Sequence, residues 1–141
     1  MRPRVLVLSD SEELLPELTK VLDRVGFETG CARVAELERD EVDLGTLLHG
    51  FDPQVVVLEL ALPYARSGAF LRELRARPEA HGRGVVLVSA NARAAARLAG
   101  LDPREPVLEL LLAPEDLAQL VTRVAAAARV PAGEDLHAGS P

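Results

Sequence analysis

The chain has 141 residues and a formal net charge of −6, so it is the size of one domain and lacks the basic surface that nucleic-acid phosphates require. Hydrophobic residues make up 48% of the chain and aromatic residues 3%, so the core must consist mainly of leucine, valine and alanine. No stretch reaches the roughly 18 apolar residues of a membrane span, and the first apolar run is too short for a signal peptide. These features predict a cytoplasmic domain that binds neither nucleic acid nor membrane.

Short apolar runs alternate with amphipathic stretches along the first half of the chain. Residues 5–8 predict a buried strand, and leucines and valines at helical spacing over 14–25 predict a first helix. A weaker strand follows at 27–32, and a second helical stripe covers 44–51. The charged stretch 36–43 between them fits neither period.

The second half of the chain repeats this alternation. Residues 55–60 form a continuous apolar run, which is typical of a strand covered by helices on both faces. The elements predicted after it are a third helix from residue 67 or 68 to 78, a strand at 85–88, a fourth helix at 92–100, a strand at 107–112 and a fifth helix that Pro114 opens. Five strands alternating with five helices predict a parallel sheet with right-handed crossovers. We expect one domain over residues 1–130, followed by a C-terminal tail or linker over 131–141.

The residues that other functions would require are scarce. Cys31 is the only cysteine, which excludes an internal disulfide, and we expect it to be a small buried apolar residue. His49, His81 and His137 lie among glycine and proline neighbours without the spacing of a metal site. In a parallel sheet, ligands bind at the carboxyl ends of the strands, so the residues that follow each strand are the candidates for function.

Four segments in chain order resemble the receiver domain of bacterial response regulators, over about residues 4–129. Residues 5–10 resemble the family's first strand with its acidic pair, and residues 55–63 resemble its third strand, in which the phosphoryl-accepting aspartate precedes a proline by four residues. Residues 85–90 resemble the fourth strand, which ends in Ser/Thr-Ala, and residues 113–117 resemble the start of the last helix. The resemblance implies an α/β fold, a three-layer sandwich of the flavodoxin or receiver type. Its parallel sheet would have five strands in the order 2-1-3-4-5, with five helices.

The resemblance also implies a site, matched position by position. In that family an aspartate accepts a phosphoryl group, acidic side chains hold magnesium, a lysine pairs with the phosphoryl oxygens, and a hydroxyl reports phosphorylation. Glu59 takes the phosphoacceptor position, Ser9 and Asp10 take the acidic pair, and Ser89 takes the switch hydroxyl. Leu110 takes the place of the lysine. Asp10 is then the remaining direct metal ligand of the pair.

These departures predict a site that does not carry out the family's chemistry. Glutamate is one methylene longer than aspartate, which moves the Glu59 carboxylate by about 1.5 Å, and a misplacement of that size slows a positioned reaction strongly. Lys20 is the only lysine in the chain, so no shift of register supplies one after the fifth strand. We therefore expect weak or absent magnesium binding, no cofactor and no enzymatic activity.

Each candidate residue also has a purely structural interpretation. Ser9 with Glu12, or Asp10 with Glu13, has the spacing of a capping box at the start of the first helix. Glu59 is either a solvated residue at the rim of the sheet or a carboxylate that imitates a phosphorylated state. Ser89 has the position of a cap for the following helix.

Three functions compete for this sequence. The favoured one is a phosphorylation-independent pseudo-receiver that binds a protein partner or a second copy of itself through its fourth helix, fifth strand and fifth helix. The alternative is a phosphoacceptor receiver with an altered acidic pocket. A small-ligand or nucleotide binder of flavodoxin-like shape is disfavoured because the turn after the first strand, residues 9–13, is acidic and contains no glycine.

Overall fold

The computed structural model of the chain describes residues 2–109 and 114–128. Five strands and six α-helices lie within them, together with a 3₁₀ turn at Pro78–Ala80. In chain order they are β1 (Arg4–Leu8), α1 (Leu14–Arg24), β2 (Glu28–Ala32), α2 (Val34–Glu38), α3 (Leu44–Phe51), β3 (Val55–Glu59), α4 (Tyr64–Ala76), β4 (Gly84–Ser89), α5 (Ala92–Leu98), β5 (Val107–Glu109) and α6 (Pro114–Ala127).

The strands form one parallel sheet in the order β2-β1-β3-β4-β5. The predicted fold class and strand order are confirmed. Leu8 pairs with Leu58 in the sheet register, and Glu59 pairs with Val88. The carboxyl ends of β1, β3 and β4 therefore finish close to the same level, which brings the residues that follow them to one edge of the sheet.

The apolar residues of the central strands divide between two cores, one on each face of the sheet. Leu6 and Leu8 of β1 pack on one face with α3 and α4, whereas Val5 and Val7 pack on the other face with α1 and α6. The helices contribute these buried side chains: Leu48, Phe70, Leu71 and Leu74 on the first face, and Leu18, Leu22, Leu117 and Val121 on the second. Because both faces are covered, every residue from Val55 to Leu58 is buried, which explains the continuous apolar run.

Two elements depart from the sequence-based expectation. The charged stretch after β2 begins with an unpredicted helix, α2, in which Leu37 is the one fully buried residue. Helix α4 begins at Tyr64, directly after Pro63, several residues before its predicted start. Its Gly68 lies against the Ala99 backbone, where a Cβ would overlap the carbonyl group, so the glycine permits close contact between α4 and the end of α5.

The expectation that Cys31 is buried is wrong. Its side chain is exposed, because β2 is an edge strand that the helices cover only in part. Leu110 and the predicted tail, residues 131–141, lie outside the described residues. Among the helices in the described part of the chain, none has the length and apolar character needed to cross a lipid bilayer.

Candidate functional site at the carboxyl edge of the sheet

Ser9 and Glu59 form a direct hydrogen bond at the carboxyl ends of β1 and β3. The Ser9 Oγ donates to Glu59 Oε1 at 2.5 Å and accepts the Ser11 N–H at 3.0 Å. Ser9 is fully buried and Glu59 is half-buried. An aspartate at position 9 would bring two carboxylates together here, and the serine supplies a donor instead. Glu59 is therefore a residue at the rim of the sheet with one carboxylate oxygen hydrogen-bonded to Ser9, and the other oxygen has no hydrogen bond to a described residue.

Asp10 is bound to a helix, although not to the one that the sequence predicted. Its Oδ1 accepts the backbone N–H of Ala35 at 2.8 Å, in the first turn of α2. The start of α1 is held instead by Ser11, whose Oγ accepts the Leu14 N–H at 3.1 Å. The predicted capping of α1 by Ser9 or Asp10 is thus wrong, because an unpredicted helix takes the carboxylate. A negative charge at this position stabilises α2 through the helix dipole as well as through the hydrogen bond.

Ser89 is fully buried and connects two loops rather than capping α5. Its Oγ donates to the Leu60 carbonyl at 2.9 Å and accepts the Asn91 N–H at 3.3 Å. The cap of α5 is Asn91, whose Oδ1 accepts the Ala94 N–H at 3.1 Å. The hydroxyl therefore joins the loop after β3 to the loop after β4, and it does not point its proton at Glu59.

Glu109 is a participant that sequence reasoning missed. Its Oε1 accepts the Ala92 N–H at 3.3 Å, at the first residue of α5, so the charge in an otherwise apolar strand serves a helix terminus. The signal in the sequence was the single acid within that apolar run. The expected lysine-equivalent position, Leu110, follows it directly and lies outside the described residues.

A cavity of about 40 Å³ lies beside Glu59, large enough for water but not for a small organic ligand. The residues that line it are Asp10, Val34, Glu38, Leu58, Glu59, Ala61, Leu62, Pro63, Arg66, Ser67 and Phe70. Arg66 provides the positive charge here, and sequence reasoning missed it because the family resemblance places the cation after the fifth strand. The Arg66 guanidinium forms an ion pair with Glu38, with an Nη2–Oε1 distance of 2.6 Å and an Nε–Oε2 distance of 3.1 Å.

The residues at this edge do not fit the magnesium ion that the family resemblance implies. Magnesium requires near-ideal octahedral coordination by oxygen atoms. Of the two candidate carboxylates, that of Asp10 accepts a backbone N–H from α2 and that of Glu59 accepts the Ser9 hydroxyl. Across residues 2–109 and 114–128, no three His, Cys, Asp or Glu side chains are grouped to hold a metal ion.

Comparison with known proteins adds to this geometry. No protein-family model and no curated protein sequence matches the chain. A sensor protein from Polaromonas sp. JS666 superposes with a TM-score of 0.71 and 23% identity, over 89% of this chain and 98% of that one. A signal receiver domain of a two-component histidine kinase from Clostridium thermocellum superposes with a TM-score of 0.68 and 15% identity, over 89% and 98%.

A response regulator from Thermotoga maritima gives a TM-score of 0.65 and 18% identity, over 89% of this chain and 99% of that one. The fold is that of a receiver domain. At these identities the likeness establishes the receiver fold, while the polar residues at the carboxyl edge have to be judged from this chain's own geometry.

Proposed function

We propose that this receiver-fold chain is a signalling module that binds a protein partner and does not depend on phosphorylation. The observation that supports the proposal is the hydrogen bond from Ser9 to Glu59. Phosphoryl transfer to a carboxylate needs a metal ion to neutralise charge and a nucleophile in the correct position. Here the carboxylate in the nucleophile's place is held by a buried hydroxyl, where an acidic ligand would otherwise stand.

Two further features of the chain disfavour phosphorylation. The side chain of Glu59 is one methylene longer than the family's aspartate, and the one lysine, Lys20, lies in α1 rather than after β5. Each lost contact would remove roughly 2–4 kcal/mol of transition-state stabilisation if electrostatic preorganisation dominates. These losses are not additive, because the groups act as a unit.

Treatment with acetyl phosphate and magnesium, followed by intact-mass measurement, tests this part of the proposal. We expect no phosphoryl adduct on the parent chain. Glu59→Asp alone should also remain unmodified, whereas Glu59→Asp with Leu110→Lys should accept more phosphoryl than either single variant. An adduct on the parent chain that disappears in Glu59→Gln would establish the alternative, a phosphoacceptor with an altered acidic pocket.

The surface that best suits a partner is an open groove beside α5 and β5, with a volume of about 540 Å³. Its apolar lining consists of Ala92, Ala96, Leu101, Pro103 and Val107. Arg93 and Arg97 flank this lining one helical turn apart, and neither forms an ion pair with another described residue. We call this surface the α5–β5 groove. It includes two of the three elements of the contact face expected from the sequence.

The charge of the α5–β5 groove indicates the chemistry of the partner. Guanidinium groups form strong, directional hydrogen bonds with carboxylates, and an apolar floor with charges at its rim is the usual composition of a protein interface. The groove therefore suits a segment that carries acidic and apolar side chains on one face. The proposed partner is a different protein; a second copy of the chain is the other candidate.

Sedimentation equilibrium and quantitative affinity capture separate these two partners. Self-association that Arg93→Glu abolishes would identify a second copy as the occupant. A monomeric chain that captures one protein stoichiometrically, and loses it in Arg93→Glu and Arg97→Glu, fits the proposal. Arg24→Glu is the matched control, because Arg24 is an exposed arginine in the last turn of α1. Capture that is lost equally in Arg24→Glu would contradict a specific role for the groove.

A further inference from the structure

We infer that α2 is a latch: a short helix, held by polar contacts at both ends, whose release widens the cavity beside Glu59 without unfolding the domain. The inference rests on the proposed function and deepens it, because it states how the same edge of the sheet would be regulated. The α2 latch is defined as residues Val34–Glu38.

Helix α2 has only a small apolar contact with the rest of the domain. Of its five residues, Leu37 is buried in the core on one face of the sheet, and Val34 packs partly buried against the same core. An isolated helix of this length does not form in water, because the nucleation of a helix is unfavourable and few hydrogen bonds follow it. The position of α2 must therefore depend on contacts with neighbouring elements.

Three polar contacts supply that support. At the start of α2, Asp10 Oδ1 accepts the Ala35 N–H at 2.8 Å, and Arg33 Nη2 donates to Glu12 Oε1 at 2.6 Å. At its end, Glu38 pairs with Arg66 of α4, with a shortest distance of 2.6 Å. The first two contacts join α2 to the loop after β1 and the third joins it to α4, so both ends of the helix are tied to separate elements.

The same contacts form part of the wall of the cavity beside Glu59. Val34 and Glu38 of α2 line the same cavity as Glu59, as do Asp10 and Arg66, which hold the helix. If α2 leaves, the cavity loses one wall. The Asp10 carboxylate then loses the Ala35 N–H and the Arg66 guanidinium loses Glu38, so both groups gain free bonding capacity next to Glu59. While α2 is in place, Asp10 and Arg66 are bound to it; after its release the same two side chains could bind a ligand.

The energies involved suit a switch that opens locally. An exposed ion pair and a capping hydrogen bond each contribute modestly, and α2 adds one buried side chain, Leu37, to the core, whereas β1 and β3 each add four. Elements with few buried apolar contacts open independently of the global unfolding transition. We therefore expect the latch to open far more often than β1 or β3.

Amide hydrogen exchange, resolved by NMR, tests the latch in the intact chain. Arg66→Gln should accelerate exchange at Leu37 and Arg39 by about fivefold, because the variant loses one polar contact, while amides of β3 keep the parent rates. Leu37 and Arg39 are informative because their N–H groups donate to the carbonyls of Arg33 and Ala35 within the helix. Glu41→Gln is the matched control, since it weakens the exposed pair of Arg39 and Glu41, which does not reach α4.

Variants of Asp10 separate a latch from a simple cap. Asp10→Ala should accelerate exchange at Leu37 and Arg39 as well as at Ala35, and Asp10→Asn should restore most of the protection, because an amide oxygen still accepts the Ala35 N–H. Acceleration confined to Ala35 would show that Asp10 acts as a local cap alone and would overturn the latch. Equal acceleration in β1 and β3 would do the same, since it would mean global destabilisation.

Access to the cavity gives a second readout. In a Cys31→Ser background, a cysteine placed by Ala61→Cys lines the cavity and reports its opening through its rate of alkylation by iodoacetamide. Arg66→Gln should raise that rate by about the same factor as the exchange at Leu37, and an unchanged rate would overturn the inference. Neither measurement uses phosphate or a partner. A phosphoryl adduct on the parent chain would therefore contradict the proposed function without affecting the latch. Unchanged exchange and alkylation in Arg66→Gln would contradict the latch without affecting the proposed function.

Discussion

The carboxyl edge of the sheet and the α5–β5 groove differ in whether their polar side chains are bonded within the chain. At the edge, the side chains of Ser9, Asp10 and Ser89 are all hydrogen-bonded within the chain. In the groove, Arg93 and Arg97 flank an apolar floor without an ion pair to another described residue. The edge is thus internally satisfied, while the groove keeps its charges available.

This difference separates residues that stabilise the fold from residues that can recognise a partner. A buried hydrogen bond is expensive to break, because the group left behind is unpaired and desolvated. An exposed, unpaired charge contributes little to stability, but it can steer a partner of opposite charge. Substitutions at the edge should therefore change stability first, and substitutions in the groove should change binding first.

Among the variants that test this difference, Ser9→Asp should have the largest effect on stability. It places a second carboxylate at a fully buried position that contacts Glu59, and we expect a loss of about 3 kcal/mol in the free energy of unfolding. Urea denaturation measures the loss. Magnesium chloride should recover part of it, because a divalent cation can lie between carboxylates. The control Ser9→Ala should lose about 1 kcal/mol and not respond to magnesium. A Ser9→Asp variant as stable as the parent would contradict the view that the buried Ser9 hydroxyl stabilises the Glu59 carboxylate.

Ser89→Ala should have the next largest effect. It removes the hydroxyl that joins the Leu60 carbonyl to the Asn91 N–H, in a position with no exposed surface. We expect a loss of about 1–2 kcal/mol in the free energy of unfolding, measured with urea. Binding at the α5–β5 groove should persist. Loss of partner binding at unchanged stability would mean that the edge and the groove are not separate.

Asp43→Asn measures how much a helix-capping carboxylate outside both regions contributes to the free energy of unfolding. The hydroxyl and backbone N–H of Thr46 donate to Asp43 and hold its pKa below the usual 3.8. Because the pKa is lowered on folding, the ionised group stabilises the fold above the unfolded-state pKa, and this contribution is lost as the pH falls through the folded-state value.

The stability difference between the parent and Asp43→Asn should thus be present near neutral pH and should fade below about pH 4. Urea titrations at a series of pH values measure it. A difference that stays constant into acid would show that the charge is irrelevant and that the amide caps α3 less well for steric reasons.

Arg93→Glu and Arg97→Glu should have the smallest effect on stability, within roughly 0.5 kcal/mol, because both side chains are exposed and form no ion pair within the described part of the chain. Their effect on a partner with acidic side chains should be large, and it should grow at low salt. Thermal unfolding and binding assays on the same samples check both halves. A strong destabilisation would mean that these arginines stabilise the fold, and it would contradict the difference between the groove and the carboxyl edge.

Much of the fold followed from the sequence because its pattern is local and repetitive. The apolar runs at 5–8, 55–60 and 85–88 mark the central strands, and their lack of alternation correctly indicated helices on both faces. Helix α2 escaped prediction because five residues with one fully buried leucine show no helical period. The start of α4 was misplaced because its first turn contains no fully buried residue before Gly68.

The sequence indicated where the candidate site lies, but it did not indicate which residues of the site form hydrogen bonds with one another. The structure places Ser9, Asp10, Glu59 and Ser89 at one edge of the sheet, while their roles stay predictions. Their partners were not predictable, because Ser9 and Glu59 are 50 residues apart and Asp10 and Ala35 are 25 apart. Hydrogen bonds of such separation depend on rotamers and on an unpredicted helix, which no local pattern encodes.

The exposed thiol of Cys31 offers a practical handle on this molecule. It is the one cysteine of the chain, and it lies on β2, at the opposite edge of the sheet from β5. Strands in a sheet are about 4.8 Å apart, so four spacings separate the two edges by roughly 19 Å. A maleimide fluorophore or a biotin attached there would report or immobilise the native sequence while leaving the α5–β5 groove unobstructed.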